Sequence, residues 1–296
     1  MGRNPTSQAK QAVAQKLALN TPRHGNSNDG KIHSLGTARA YTQALKGYAE
    51  FVRESNGGSL FRAGAKPEMA MNYLHHRAGE VGQKTLDLDR QAIQMHIGQQ
   101  LPVVRSFKET NLTCRSYTSE QVKMVAAAQT IRNGLATEIA YRSGLRAHEL
   151  LTLQRLEERG PSPHRKWTPD RFTGREGERY TVQGKGGLVR EVMIPKDLAD
   201  RLEARRLAEP RQATDRGIHY QQRYDINGGN RWSKSFTMAA NRTLGWSRGG
   251  HGLRHGYAQE RLAELQRNGM TYENAKGTVA QEVGHFDKET TDVYLR

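Results

Sequence analysis

Segments with apolar residues at helical spacing recur along this chain, and that pattern restricts its fold more than any other feature. The clearest case begins after Ser34, where Thr37 is a suitable N-cap. The apolar positions of this segment share one helix face: Tyr41, Leu45, Tyr48 and Val52. An Asn-Gly-Gly triplet at 56–58 ends the helix. We therefore predict an amphipathic helix that buries one face against neighbouring helices.

Later helices have recognisable start signals. Pro67 opens one, since proline is favoured in the first helical turn, and Thr85 opens another. Thr118 and Gln121 form a capping-box pattern ahead of a further apolar series. The last third of the chain, from Ser233 onward, is also mostly helical by pattern.

Only one segment has a clear strand pattern. Residues 180–182 and 189–194 alternate around a Gly-Lys-Gly-Gly turn, which predicts a β-hairpin with Lys185 at its tip. Residues 157–178 and 209–230 are polar and lack a period, so we predict long loops there. The expected fold class is mainly α with a small β-hairpin or sheet, an α+β fold.

Changes in composition along the chain suggest its domains. Residues 1–33 are polar and without a periodic apolar pattern, so we expect a flexible N-terminal arm. Residues 34–104 form a small helical domain and residues 105–116 a linker. A second domain is predicted over residues 117–296.

Composition excludes several classes of protein. The longest apolar run, Met124 to Ala128, is far short of the roughly 20 residues that span a bilayer. The N-terminus lacks the apolar stretch of a secretory signal. Cys114 is the sole cysteine, so neither an intrachain disulfide nor a Cys-rich zinc site can form. We expect a cytoplasmic protein with no membrane partner.

The charge predicts a polyanionic partner. The chain has 296 residues, a formal charge of +16 and a pI near 10.1. Residues 1–115 contain 16 basic and 8 acidic residues, and the remainder contains 30 and 22, so each part carries +8. Because both parts are basic, we expect two domains that both contact nucleic acid, as a clamp would, with salt-dependent binding.

Two short segments offer basic groups for chemistry. In Gly144-Leu-Arg146-Ala-His-Glu149, Glu149 lies three residues after Arg146, where it can orient the guanidinium. Lys185 stands in a glycine-rich turn that can bring a mobile ammonium close to a ligand. Taken alone, the Arg146 and Glu149 spacing more often indicates an ordinary surface ion pair. A lysine in a turn, such as Lys185, is likewise more often an ordinary turn residue.

Two further segments contain histidine. His251 and Arg254 stand three apart at a predicted helix start, a pairing that suits a phosphate. His255 follows, and we favour a packed core position for it over a role in the site. Gly284-His285 is followed nine residues later by Tyr294, which alone would be read as a packed ring.

Together and in this order, the segments resemble the tyrosine recombinase (phage integrase) family. That family has an Arg in a GLR-x-x-E-L segment, a hairpin Lys, an H-x-L-R-H segment, a Gly-His pair and a nucleophilic Tyr. The matching residues here are Arg146, Lys185, His251, Arg254, His285 and Tyr294. The resemblance covers residues 117–296, and the helical region before it looks like the SAM-like core-binding domain of the family, with weaker motifs.

The resemblance implies roles for these residues. Tyr294 would attack a DNA phosphodiester and form a 3′-phosphotyrosyl bond, a covalent mechanism that needs no cofactor or metal. Arg146 and Arg254 would hold the phosphate oxygens, with a hydrogen bond from His285. Lys185 would be the general acid and His251 the proton acceptor.

The resemblance also implies supporting groups. Glu149 would support the arginines. Members of the family usually have a second basic residue directly after the hairpin lysine. Here Leu188 and Val189 precede Arg190, which we expect to make a lighter DNA contact.

The partners implied are double-stranded DNA with specific recombination sites, a tetramer assembled on that DNA, and accessory DNA-bending or directionality proteins. The leading hypothesis is a site-specific recombinase or integrase of a mobile genetic element. Two alternatives stay open: a type IB topoisomerase that relaxes DNA, and a catalytically silent DNA-binding protein. The complete set of catalytic residue types argues against the second.

Overall fold

A computed structural model describes residues 4–19, 30–109 and 113–295, except for the side chains of Asn56 and Lys185. The chain divides into two compact units, Met1–Asn111 and Leu112–Arg296. The first unit is built from four helices within its described residues: α1 (Pro5–Ala14), α2 (Leu35–Asn56), α3 (Pro67–Ala78) and α4 (Gln83–Ile97).

Helix α2 is the centre of the first unit. Leu45, Tyr48 and Val52 are fully buried on its inner face, as their spacing predicts. Its N-cap is Ser34, whose Oγ accepts a hydrogen bond from the backbone N–H of Thr37 at 3.1 Å. The N-cap therefore lies three residues before the predicted one, because Ser34 Oγ satisfies an N–H that has no partner inside the helix.

The prediction of a flexible arm over residues 1–33 is wrong for residues 5–14, which form α1. Asn4 caps this helix, and Ala9 and Val13 are buried in the same core as α2. Gln8, also buried, accepts a hydrogen bond from Leu60 N–H through Oε1 at 2.7 Å. The apolar face consists mostly of alanines, which is why its pattern is faint in the sequence. Residues 1–3 and 20–29 of the predicted arm lie outside the described residues.

The second unit contains helices, two antiparallel sheets and short 3₁₀ turns. Its elements in chain order are α5 (Ser119–Ala127), α6 (Ile131–Arg142), β1 (Gln154–Arg155), β2 (Glu178–Gln183), β3 (Val189–Ile194), α7 (Lys196–Glu203), β4 (Arg206–Asp215), β5 (Ile218–Tyr224), α8 (Gly229–Leu244), α9 (His251–Arg267), α10 (Tyr272–Glu282) and a 3₁₀ helix (Lys288–Val293).

The predicted hairpin is β2 and β3, with β1 on the other edge of β2. Its register pairs Val182 with Arg190 and Tyr180 with Val192. Val182, Val192 and Ile194 are buried in the main core of this unit. Thr118 and Gln121 form the predicted capping box at the start of α5.

The prediction of one long loop over 209–230 is wrong, because β4 and β5 form a second hairpin there. Its register pairs Arg206 with Tyr224 and Asp215 with Ile218. Most residues of β4 are exposed or half-buried on both faces. The strand therefore lacks the apolar–polar alternation that identifies a half-buried strand in a sequence. No described helix is long and apolar enough to cross a membrane.

Candidate active site

Arg146 lies just after α6, where the chain turns sharply. Gly144 has φ 61°, and a Cβ there would stand 2.6 Å from the Tyr257 ring, so only glycine fits this turn. Leu145 is buried and fixes the segment. Both the backbone N–H and the guanidinium of Arg146 donate to the Glu149 carboxylate, each at 2.8 Å.

Glu149 is the charge around which the cationic groups gather. Its carboxylate is fully buried and lies 2.8 Å from Arg146 Nη1, 2.8 Å from Arg190 Nη2 and 3.9 Å from Arg254 Nη1. Burial by itself raises the pKa of Glu149, but the three guanidinium groups outweigh it and hold that pKa well below its usual range. Glu149 is therefore ionised and neutralises part of a dense positive cluster.

Arg190 does not lie where the sequence prediction placed it. Its side chain is 1% exposed, so it makes no surface contact of the kind expected with DNA. It donates to Glu149 and, at 2.6 Å, to the backbone carbonyl of Glu282. The sequence contains evidence for this buried position, because Arg190 alternates with Val192 and Ile194 along the strand and so shares their inward face. Arg190 supports Glu149 from within the core.

Arg254 is completely buried near the start of α9. Its Nη1 donates to the carbonyl of Gly144 at 2.6 Å, and its Nη2 donates to the carbonyl of Val283. Burial, together with the nearby Arg146, lowers the pKa of Arg254 to about 10, which still leaves it charged at neutral pH. Within the described part of the chain, its Nε has no hydrogen-bond partner.

Tyr294 packs against this cluster and is only 6% exposed. Its ring centroid lies 5.5 Å from that of His251, 5.0 Å from His255 and 5.6 Å from His285. The Cζ of Arg254 lies 5.3 Å from the same centroid. The two arginines, two histidines and tyrosine that the sequence singled out therefore converge on one place.

Two of these histidines, His251 and His285, are neutral at physiological pH. Arg146 Nη2 lies 2.9 Å from His285 Nε2, and because a guanidinium can only donate, Nε2 accepts. Burial and the charges of Arg254 and Arg146 lower the pKa of His285 to about 4. The same causes lower the pKa of His251, although the residue as a whole is exposed.

The hairpin turn that contains Lys185 reaches the edge of this cluster. A Cβ on Gly184 would lie 3.3 Å from Glu149 Oε1 and 3.7 Å from Arg146 Nη1, so the base of the turn packs directly on that ion pair. Gly186 and Gly187 adopt φ values of 77° and 83°. The Lys185 side chain lies outside the described part of the structure.

Residues outside the predicted catalytic set hold Tyr294 in place. Gln259 donates from Nε2 to the Tyr294 carbonyl at 3.1 Å. Lys276 pairs with Asp292 at 2.7 Å and with Glu289 at 3.5 Å. His255 is fully buried, in the packed core position expected from the sequence, and it contacts the Tyr294 ring. The sequence could have predicted that Gln259 lies near the site. His251, His255 and Gln259 stand at i, i+4 and i+8 on α9 and so share one helix face.

The arrangement suits an anion rather than a cation. Among the described residues, no group of three or more His, Cys, Asp and Glu side chains is placed to hold a metal ion. Guanidinium groups dominate the cluster, and they bind the oxygens of phosphate or carboxylate.

Comparison with known proteins identifies the fold. No family model and no curated protein matches the chain. A crystal structure of the XerH site-specific recombinase, in a post-cleavage complex with a palindromic difH substrate, matches with a TM-score of 0.60 and 14% identity. That match covers 99% of this chain and 93% of the other.

A lambda integrase dimer bound to a COC′ core site also matches, with a TM-score of 0.56 and 13% identity over 93% of each chain. At these identities the likeness concerns the fold alone. The chain thus has the fold of the tyrosine recombinases, mainly α with small antiparallel sheets.

Proposed function

We propose that this chain, which has the tyrosine recombinase fold, is a site-specific DNA recombinase or integrase that acts through a 3′-phosphotyrosyl intermediate. The observation that carries the proposal is the packing of Tyr294 on Arg254 and against His251 and His285. The Tyr294 ring centroid lies 5.3 Å from Arg254 Cζ, and 5.5 and 5.6 Å from the ring centroids of His251 and His285. A nucleophile, two guanidinium groups and a neutral imidazole then surround one position for a phosphate.

In the proposed reaction, Tyr294 Oη attacks a DNA phosphorus and the bond from phosphorus to the 5′ oxygen breaks. His251, whose lowered pKa keeps it neutral, accepts the phenol proton. Lys185 donates a proton to the leaving 5′ oxygen. Because one phosphodiester replaces another, the reverse attack by a 5′-hydroxyl rejoins the strand without an external energy source.

The arginines have distinct parts in this proposal. Arg146 is 23% exposed in its side chain and can meet a phosphate directly. Arg254 lies beneath the Tyr294 ring and is fully buried, so a phosphate can reach it only when the ring moves aside. The Nε of Arg254, which has no partner within the described part of the chain, can then donate to a phosphate oxygen. In His285, Nε2 stays the acceptor from Arg146, so its unpartnered Nδ1–H is the donor left for the phosphate.

The wider assembly is also part of the proposal. Residues 34–104 would bind DNA as a core-binding domain and residues 117–296 would catalyse cleavage, with a tetramer formed on paired recombination sites. We place the enzyme in the cytoplasm, encoded by a mobile genetic element, with accessory DNA-bending or directionality proteins. The basic charge of both parts supports double-stranded DNA as the partner.

Covalent trapping on a nicked suicide substrate tests the reaction. We expect Tyr294→Phe to bind DNA as the unmodified protein does but to form no adduct, since it lacks the attacking oxygen. Tyr272→Phe is the matched control, because Tyr272 is 45% exposed on α10 and should leave adduct formation unchanged. Adducts formed by Tyr294→Phe at the normal level would refute the role of Tyr294.

Two plasmid assays separate recombination from its alternatives. A recombinase exchanges strands between two sites and acts poorly on DNA that lacks them, whereas a type IB topoisomerase relaxes any supercoiled plasmid. Binding without an adduct, under conditions where the protein is folded, would indicate a catalytically silent DNA-binding protein.

A further inference from the structure

The connection between β1 and β2 contains a segment, residues 162–175, that attaches to the hairpin of the active site. Ser162 N–H donates to the carbonyl of Val189 at 3.0 Å, and Val189 N–H donates to Ser162 Oγ at 3.0 Å. Val189 begins β3, directly after the turn that contains Lys185. One end of this segment, called here the 162–175 loop, is thus fixed beside a predicted catalytic residue.

The middle of the loop attaches to the segment that contains His285. Thr168 N–H donates to Gln281 Oε1 at 2.7 Å. The ring of Trp167 lies 4.9 Å from that of Phe286, the residue that follows His285. The 162–175 loop therefore spans the distance between the lysine turn and the catalytic histidine.

Several contacts make the loop rigid despite its polar sequence. Arg171 stacks over Trp167 at 4.5 Å and pairs with Glu191 at 3.5 Å. Phe172 is 4% exposed, adopts φ 67°, and donates its N–H to Glu282 Oε1 at 2.8 Å. Arg175 pairs with Glu264 at 2.7 Å. Groups on this loop are consequently held in place before any ligand binds.

The loop carries excess positive charge at one point. It contains four Lys and Arg residues and one Asp. Arg171 and Arg175 have carboxylate partners, whereas Arg165 and Lys166 are exposed and form no ion pair with a carboxylate within the described ranges. Arg165 stacks over Phe286 at 4.9 Å, which orients its guanidinium and leaves its N–H groups open.

We propose that Arg165 and Lys166 bind DNA backbone phosphates that flank the scissile phosphate. This inference rests on the proposed function. Two uncompensated cations on a rigid loop, packed on the neighbour of His285, match the repeated negative charge of a DNA strand that passes through the active site. They supply the flanking contact that the sequence had assigned to Arg190, which is buried.

Salt dependence of binding tests this contact. The variant R165Q/K166Q should bind DNA more weakly whatever its sequence, and the slope of log K against log salt should be shallower by about 1.8, since each lost phosphate contact contributes roughly 0.9. The matched control is K196Q/R201Q on α7, which removes the same charge. Its two cations have carboxylate partners in Asp200 and Glu138, so its slope should stay near that of the unmodified protein.

Two further variants guard against misfolding. K166Q alone should give about half of the slope change, because Lys166 forms no ion pair among the described residues that its loss would disturb. R165K should restore most of the binding. Equal slopes for R165Q/K166Q and K196Q/R201Q would overturn the proposal.

Adduct formation by the unmodified protein reports separately on the proposed function. If the protein binds DNA but forms no adduct, the recombinase assignment fails while the slope comparison still decides whether the loop contacts DNA. If adducts form and the slopes are equal, only the loop proposal fails.

Discussion

Glu149, a fully buried carboxylate, organises the cationic cluster of the candidate active site. Three guanidinium groups share its buried carboxylate, and two of them, on Arg190 and Arg254, are themselves buried. Charges of one sign at this density would repel one another in a medium of low dielectric constant. Glu149 allows Arg146 and Arg254 to lie close together, as the proposed phosphate site requires.

Removing that charge should be costly. Glu149→Gln leaves Arg190 and Arg254 buried without a counter-charge, so we expect a loss of about 3–5 kcal/mol in the free energy of unfolding. Urea denaturation measures it. The matched control is Glu138→Gln, which breaks a partly exposed pair with Arg201 and should cost under about 1 kcal/mol. A loss for Glu149→Gln no greater than the control would contradict the organising role.

At the scale of elements, helices α9 and α10 together hold Tyr294 in position. Residues of α9 at i, i+4 and i+8 contact the ring and backbone of Tyr294. Lys276 of α10, whose side chain is 6% exposed, binds two carboxylates of the 3₁₀ helix Lys288–Val293. The segment that contains Tyr294, the proposed nucleophile, is thus held against the candidate active site of its own chain.

Loosening this attachment should affect chemistry more than DNA binding. We expect Lys276→Met to slow adduct formation several-fold while DNA affinity stays unchanged, because the tyrosine spends less time in place. Lys288→Met, which removes a more exposed pair with Glu273, is the control and should have a smaller effect. Single-turnover adduct kinetics beside a binding titration separate the two effects, and a parallel fall in affinity would argue against this interpretation.

At the scale of the whole molecule, burial of histidines couples stability to pH. Burial is the leading cause of a lowered pKa at His96, His148, His251 and His285, and for His251 and His285 the value falls to about 4. The unfolded chain takes up protons near pH 6.5, the ordinary histidine pKa, whereas the folded chain does not. Between about pH 6.5 and 4 the unfolded state binds more protons, so stability falls as pH falls.

Urea denaturation at several values between pH 7.5 and 5 measures this slope. His148→Asn should make it shallower, since one histidine with a lowered pKa is removed. His219→Asn, at an exposed position on β5, is the control. Stability that is constant or rises toward pH 5 would contradict the expected sign.

The spacing of residues along the chain was enough to predict the helical character, the β2–β3 hairpin and the candidate residues of the site. It failed for α1, whose alanine face resembles polar coil, and for β4, which exposes most of both faces. It also failed for β5, whose buried face includes the polar Gln222. It also placed Arg190 on the surface, although alternation with Val192 and Ile194 pointed inward. The failures for α1 and for the β4–β5 hairpin share a cause, because burial depends on partners far away in the sequence.

The sequence by itself determined which reactive groups this protein has and their order along the chain, since local motifs depend on neighbouring residues. Only the tertiary structure decided that Glu149 binds three arginines, that Tyr294 covers Arg254, and that the 162–175 loop joins the lysine turn to Phe286. Each of these contacts joins residues from distant segments. Electrostatic and packing energies act through space, so the folded chain sets the charge and exposure of its active groups.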